Sequence, residues 1–327
     1  MARHTIRDTI ERAAPRPEPT TVPARPLALS LVLSLRPSQW TKNLIIFLPL
    51  MLALRLTDPH SVARALAAFA IFCALSGAVY LLNDIVDREA DRNHPLKRTR
   101  PIASGAVPVR AALTTAIVLG IAALAAGFWL RPLFAGFGAA YLALLVLYSG
   151  PLKHIVIIDV LTIAIGFVLR AAAGAVAINV ELRPWLLILT ILLALFLALS
   201  KRRHELVLLA DGAMSHRPIL QEYSPYLLDQ MISVVTASTI LAYAFYTVSP
   251  ETIDKLHTDR LALTLPFPLY GIFRYLYLVH QKSGGGSPAE MLLTDRPLLI
   301  CVAVWAIFMA VIIYAPRLLT LHGLFGQ

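Results

Sequence analysis

Nine apolar runs, each roughly 17–25 residues long, divide the chain between residues 39 and 316. They cover 39–56, 63–83, 109–130, 132–148, 155–178, 185–201, 227–249, 262–281 and 297–316. Lipid offers a peptide group no hydrogen-bond partner, so such a run crosses a bilayer only as a helix that bonds its own backbone. The expected fold class is all-α, a polytopic membrane protein with nine transmembrane helices. Composition agrees: 15% of residues are charged and mean hydropathy is +0.71, where a soluble domain carries about a quarter charged residues. Cys73 and Cys301 both lie in apolar runs, which argues against a disulfide framework or a zinc site.

The net charge of +10 does not point to nucleic acid, because the cations gather in loops between runs. Loop 84–110 holds Arg88, Arg92, Lys97, Arg98, Arg100 and Arg110, and loop 202–226 holds Arg202, Arg203 and Arg217. The opposite loops are shorter and poorer in cations. The positive-inside rule makes the basic side cytoplasmic, with the N-terminus inside and the C-terminus outside. The expected location is the plasma membrane, with the polar clusters on its cytoplasmic side. Residues 1–30 carry arginines among prolines and no apolar core, so they read as a disordered cytosolic tail rather than a signal peptide. Residues 31–327 form the expected membrane domain, and Ser283–Ser287, with three glycines, reads as a flexible loop.

This topology brings four polar clusters to one face: Arg36–Asn43, Asn83–Asp91, Tyr148–Asp159 and Lys201–Glu205. In the second, Asp84, Asp87 and Asp91 fall at i, i+3 and i+7, one face of a helix. Carboxylates so close repel unless a cation lies between them. Hard oxygen donors without Cys or His suit Mg²⁺, which is commonly held by one or two carboxylates plus substrate phosphates. The expected chemistry is magnesium-dependent work on a diphosphate at the membrane surface. Asp84, Asp87 and Asp91 are the candidate metal ligands, and they join Asp159 as candidate catalytic residues.

Gly150-Pro151 breaks a helix and sets Lys153 at the entry of the next run, with Asp159 just inside it. A carboxylate there is costly and reads either as a partner of Lys153 or as a group facing substrate or metal. Arg170, eleven residues on, is the deepest cation and shares that helix face. Lys201-Arg202-Arg203 reads as a basic stop at a span end or as phosphate ligands, and Lys42 carries the same ambiguity.

Asn83-Asp84-x-x-Asp87-x-x-x-Asp91 resembles the first aspartate-rich motif of the UbiA superfamily of intramembrane prenyltransferases. The resemblance implies nine helices around a central cavity, with a magnesium-bound diphosphate beneath a cytoplasmic cap. The second motif departs from the usual paired aspartates: here stand Tyr148, Leu152, Lys153 and Asp159. That pattern is similar to a phosphoribosyltransferase subgroup acting on decaprenyl phosphate. So are Arg36-Pro37-x-Gln39-Trp40-x-Lys42-Asn43, His94-Pro95-x-Lys97-Arg98-x-Arg100 and Lys201-Arg202-Arg203-x-Glu205. The subgroup implies phosphoribosyl pyrophosphate as donor, a polyprenyl phosphate as acceptor and a product for cell-wall arabinan synthesis. Two or three phosphates in one pocket ask for more cations and fewer carboxylates. Lys42, Asn83, Arg98, Arg100, Tyr148, Lys153, Arg170, Lys201 and Arg202 are the candidate substrate-binding residues. A prenyltransferase using a polyprenyl diphosphate and an aromatic acceptor is the alternative, and a transporter is the rival of another class. The sequence leaves a homo-oligomer open.

Overall fold

The structure, a computed structural model, describes residues 26–93, 97–210, 218–282, 286 and 288–324. Most of the expected tail and of the Ser283–Ser287 loop lie outside the described residues, as does His94. Every regular element among the described residues is helical. In chain order they are α1 Leu27–Ser34, a 3-10 segment Pro37–Phe47, α2 Leu48–Leu52, α3 Pro59–Val86, α4 Arg88–Arg92, α5 Val109–Leu130 and α6 Pro132–Ser149. Then follow α7 Ile158–Ala177, α8 Pro184–Ala210, α9 Pro225–Val248, α10 Pro250–Leu256, α11 Pro266–Gln281, α12 Pro288–Thr294 and α13 Arg296–Leu324. Proline opens α3, α6, α8, α9, α10, α11 and α12, where its fixed φ suits the first turn and its missing N–H costs nothing.

Eight helices among the described residues are long and apolar enough to cross a membrane, so this is a multi-pass membrane protein. They match the expected runs from 63–83 onward. The first expected span, 39–56, is different. It is the 3-10 segment followed by the short α2, and it is not among the eight. Pro49 interrupts a continuous helical ladder through the span, and Gln39, Thr41, Lys42 and Asn43 deny it an apolar surface. A 3-10 helix rises about 2.0 Å per residue, so this segment trades regular bonding for reach and brings its polar side chains into the bundle.

Successive spans pack as antiparallel neighbours, α3 on α5, α5 on α6, α6 on α7, α7 on α8 and α8 on α9, while α11 packs on α13. The series closes where α12 touches the 3-10 segment. That segment also runs against α3 and α7. Helix α7 is lined with buried small residues from Ala171 to Ala177, which let other backbones approach closely. At Gly174 the approach is extreme: a Cβ there would sit on the Ile46 carbonyl. The outward faces carry apolar side chains such as Val118, Ile121 and Phe128, and Trp129 at the end of α5 is 90% exposed, as expected for a surface turned to lipid and its interface.

Candidate active site

Asn83 and Asp84 lie on the last turn of α3, Asp87 caps it, and Asp91 sits on α4, which resumes one residue later. The break at Asp87 divides the expected single face. Asp84 and Asp91, both buried, share one guanidinium nitrogen: Arg100 Nη1 is 3.3 Å from Asp84 Oδ1 and 2.6 Å from Asp91 Oδ2. Asp84 Oδ1 also accepts from Arg36 Nη2. Asp87 turns the other way, accepting from Lys153 Nζ at 2.7 Å and from Asn83 Nδ2 at 3.0 Å. Arg36 has a left-handed backbone, φ 53°, at the start of the 3-10 segment, and its guanidinium stacks on the Tyr80 ring.

A second network lies where α6, α7 and α8 meet. Helix α6 stops at Ser149, as Gly150-Pro151 led one to expect, and a 3-10 turn, Leu152–His154, carries Lys153 to Asp87. Lys153 is therefore not the partner of Asp159. Asp159 is fully buried and both its oxygens are engaged, by Arg202 Nε at 2.7 Å and by the Tyr223 hydroxyl at 2.8 Å. Arg202, only 2% exposed, also donates to Glu205 and, at 3.2 Å, to the Tyr148 hydroxyl. Burial foremost, with Asp159 beside it, pushes the Tyr223 hydroxyl up to about 12, so it stays a donor at neutral pH. The same hydroxyl accepts from the backbone N–H of Ile157, a β-branched residue held at φ 69°, a conformation such residues rarely adopt. The turn into α7 is thus fixed by the network that holds Asp159.

The third network is deepest. Arg170, 5% exposed, donates to Asn43 Oδ1 (2.7 Å), the Gly166 carbonyl (3.0 Å) and the Tyr141 hydroxyl. The guanidinium also lies over the Tyr141 and Phe167 rings. Asn43 bonds Cys73 and Ser76 of α3. Arg170 shares α7 with Asp159, but the two have separate partners, and none of those that Arg170 meets is a carboxylate. Lys42, half-buried beside Asn43, has no hydrogen-bond or ion-pair partner among the described residues. Lys201 lies 3.8 Å from Glu205. Arg98 is exposed on the turn Lys97–Thr99 and is not drawn into these networks among the described residues. Arg36, Asn43, Tyr141 and Tyr223 were not singled out as site residues from the sequence, although the motif Arg36–Asn43 carried the signal for the first two.

No group of three acidic, His or Cys side chains is gathered to hold an ion among the described residues; each acid of the first cluster meets a cationic side chain instead. Even so, the donor set fits a magnesium ion in kind. All donors are hard oxygens, and Asp84 and Asp91 lie close enough to share one guanidinium nitrogen of Arg100.

The UbiA prenyltransferase family model matches residues 43–294. The chain belongs to that family. Among curated relatives, the decaprenyl-phosphate phosphoribosyltransferase of Mycolicibacterium smegmatis is 33% identical over 301 residues, covering 88% of this chain and 93% of the relative. The enzyme of the same name from Corynebacterium glutamicum is 32% identical over 298 residues, covering 89% of each. The fold is that of a UbiA homolog from Archaeoglobus fulgidus solved with GPP and Mg²⁺, with a TM-score of 0.68 at 19% identity, covering 87% of this chain and 99% of that one. The resemblance read from the motifs is thus borne out in family, in fold class and in the named subgroup.

Proposed function

We propose that this protein transfers the 5-phosphoribosyl group from phosphoribosyl pyrophosphate to decaprenyl phosphate or a similar polyprenyl phosphate. The products are pyrophosphate and decaprenylphosphoryl-5-phosphoribose, a precursor for cell-wall arabinan. The observation that carries the reading is Arg170, a buried cation whose hydrogen-bond partners among the described residues are all neutral, joined by Lys42. Neutral acceptors and aromatic rings leave its charge without a counter-ion, which an anion entering the site would supply. Paired with the acid cluster, that arrangement suits a substrate set with phosphates at two depths, as a phosphorylated donor and a phosphorylated lipid would bring. Relatives named for this reaction support it.

In this reading Asp84, Asp87 and Asp91 hold magnesium, which would neutralise charge building on the departing pyrophosphate. Arg36, Arg100 and Lys153 then exchange their carboxylate partners for phosphate oxygens, which Arg meets as a bidentate fork. Lys42 and Arg170 bind the phosphate that reaches deepest. Ribose C1 gains positive character as pyrophosphate leaves, and a phosphate oxygen of the lipid attacks it. That nucleophile is already ionised at neutral pH, so no strong base is required of the chain. In this reading Asp159 acts from behind the substrate: it holds Arg202 and Tyr223, and through Arg202 it holds Tyr148, which donates to phosphate together with Lys201. The site faces the cytoplasm, where the basic loops lie.

The test is a donor assay with purified protein, decaprenyl phosphate, radiolabelled phosphoribosyl pyrophosphate and Mg²⁺. Label should enter the lipid phase and stop doing so with a chelator. Failure of transfer by folded protein, with turnover of a prenyl diphosphate and an aromatic acceptor, would replace this reading with a prenyltransferase.

A further inference from the structure

A polar cavity lies at the opposite end of the bundle from the acid cluster. Its volume is about 430 Å³, and Ala53, Leu54, Arg55, Thr57, Asp58 and Lys255 line it. These residues belong to the turn between α2 and α3 and to α10. Its one carboxylate is committed. Asp58 Oδ1 accepts from the His60 backbone N–H at 3.1 Å and Oδ2 from the Ser61 hydroxyl at 2.6 Å, so Asp58 caps α3. Arg55 approaches it only to 3.7 Å.

Lys255 is half-buried and has no hydrogen-bond or ion-pair partner among the described residues. The nearby acids are taken: Arg183 lies 3.0 Å from Glu251 and 4.0 Å from Glu181. Burial first, then the charge of Arg183, holds the Lys255 ammonium below its usual range despite the weaker opposing pull of Glu181 and Glu251. An anion beside it would reverse that effect. Leu54 is held at φ 61° in the cavity wall, a left-handed conformation uncommon for leucine.

The position decides what kind of anion belongs here. The cavity sits within a turn of the start of span α3, the level at which lipid headgroups lie. Leu56, in the same turn, is 43% exposed and offers apolar surface beside the two cations. We propose that this cavity binds the phosphate of an anionic membrane lipid, with Arg55 and Lys255 as its ligands and the Thr57 hydroxyl as a further donor. The site is separate from the acid cluster and does not depend on the reaction assigned there.

Native mass spectrometry of the full chain, purified in detergent and loaded with phosphatidylglycerol, tests this. Wild-type protein should retain the lipid. The double variant Arg55→Gln, Lys255→Gln should retain about tenfold less or lower still, because it loses both charge-assisted contacts. Its activity at the acid cluster, assayed in detergent, should be unchanged. Arg55→Gln alone alters a side chain that is 54% exposed, so it leaves folding intact and should show an intermediate loss. Equal retention by wild type and both variants would overturn the proposal. So would complete displacement of the lipid by millimolar inorganic phosphate, which would make free phosphate the ligand.

Discussion

At the scale of single residues, the site is a set of carboxylates with unequal jobs. Asp84 and Asp91 share Arg100, and in the proposed reading both would hold the metal. Asp84→Asn keeps the shape and removes the charge, so turnover should fall by about 100-fold or more while thermal unfolding in detergent changes little. Retained activity would remove Asp84 from the metal set. Asp159 should behave in the opposite way. Its carboxylate and Arg202 form a pair almost sealed from solvent, and breaking one partner of such a pair costs about 3–5 kcal/mol. Asp159→Asn should therefore lower the unfolding midpoint sharply, and activity only through the displaced Tyr148 and Lys153 loop. The sequence displayed the acids of both groups equally well, because charge in an apolar chain is conspicuous. Of their partners it displayed Arg100, Lys153 and Arg202 as candidate site residues, but not which acid each would meet. Arg36 lies 48 residues from Asp84, and Tyr223 lies 64 from Asp159; a tyrosine or an arginine in a loop carries no mark of the contact it will make.

At the scale of elements, the 3-10 segment Pro37–Phe47 matters most. It carries Arg36 at its start and Lys42 and Asn43 within it, and so supplies the acid cluster and the deep arginine from one piece of chain. Hydropathy placed a helix there because Leu44 to Leu54 is apolar; Pro49 and the polar residues before it decide the actual form. Its position depends on Gly174, which lets α7 touch the Ile46 backbone. Backbone cannot step aside as a side chain can. Gly174→Ala should cost about 1–3 kcal/mol and reduce turnover by shifting Lys42 and Asn43. Gly77→Ala is the control. Its added methyl would meet Leu35, nearest at a terminal methyl 2.9 Å away, and a flexible side chain can yield. Stability and activity near wild type in both variants would show that the close approach at Gly174 does not position the segment.

At the scale of the whole molecule, alternation of the spans explains why clusters far apart in sequence share one face. Helices α3, α6 and α8 end there, while α5, α7 and α9 begin there. Counting runs and weighing loop charge was enough to foresee that convergence, even with one span in another form, because the 3-10 segment still leads the chain from one face to the other. The order in which helices pack, and the closing contact of α12 with the 3-10 segment, were hidden, since lipid-facing and bundle-facing surfaces are both apolar. The same alternation gives a prediction about sidedness. Phosphoribosyl pyrophosphate carries several charges and does not cross a bilayer. If loops 84–110 and 202–226 face the cytoplasm, inverted membrane vesicles should turn over added donor at once. Sealed right-side-out vesicles should do so only after permeabilisation. Turnover by intact right-side-out vesicles, with inverted ones active only after permeabilisation, would place the acid cluster on the other side of the membrane, and the basic loops would then owe their charge to phosphate binding alone.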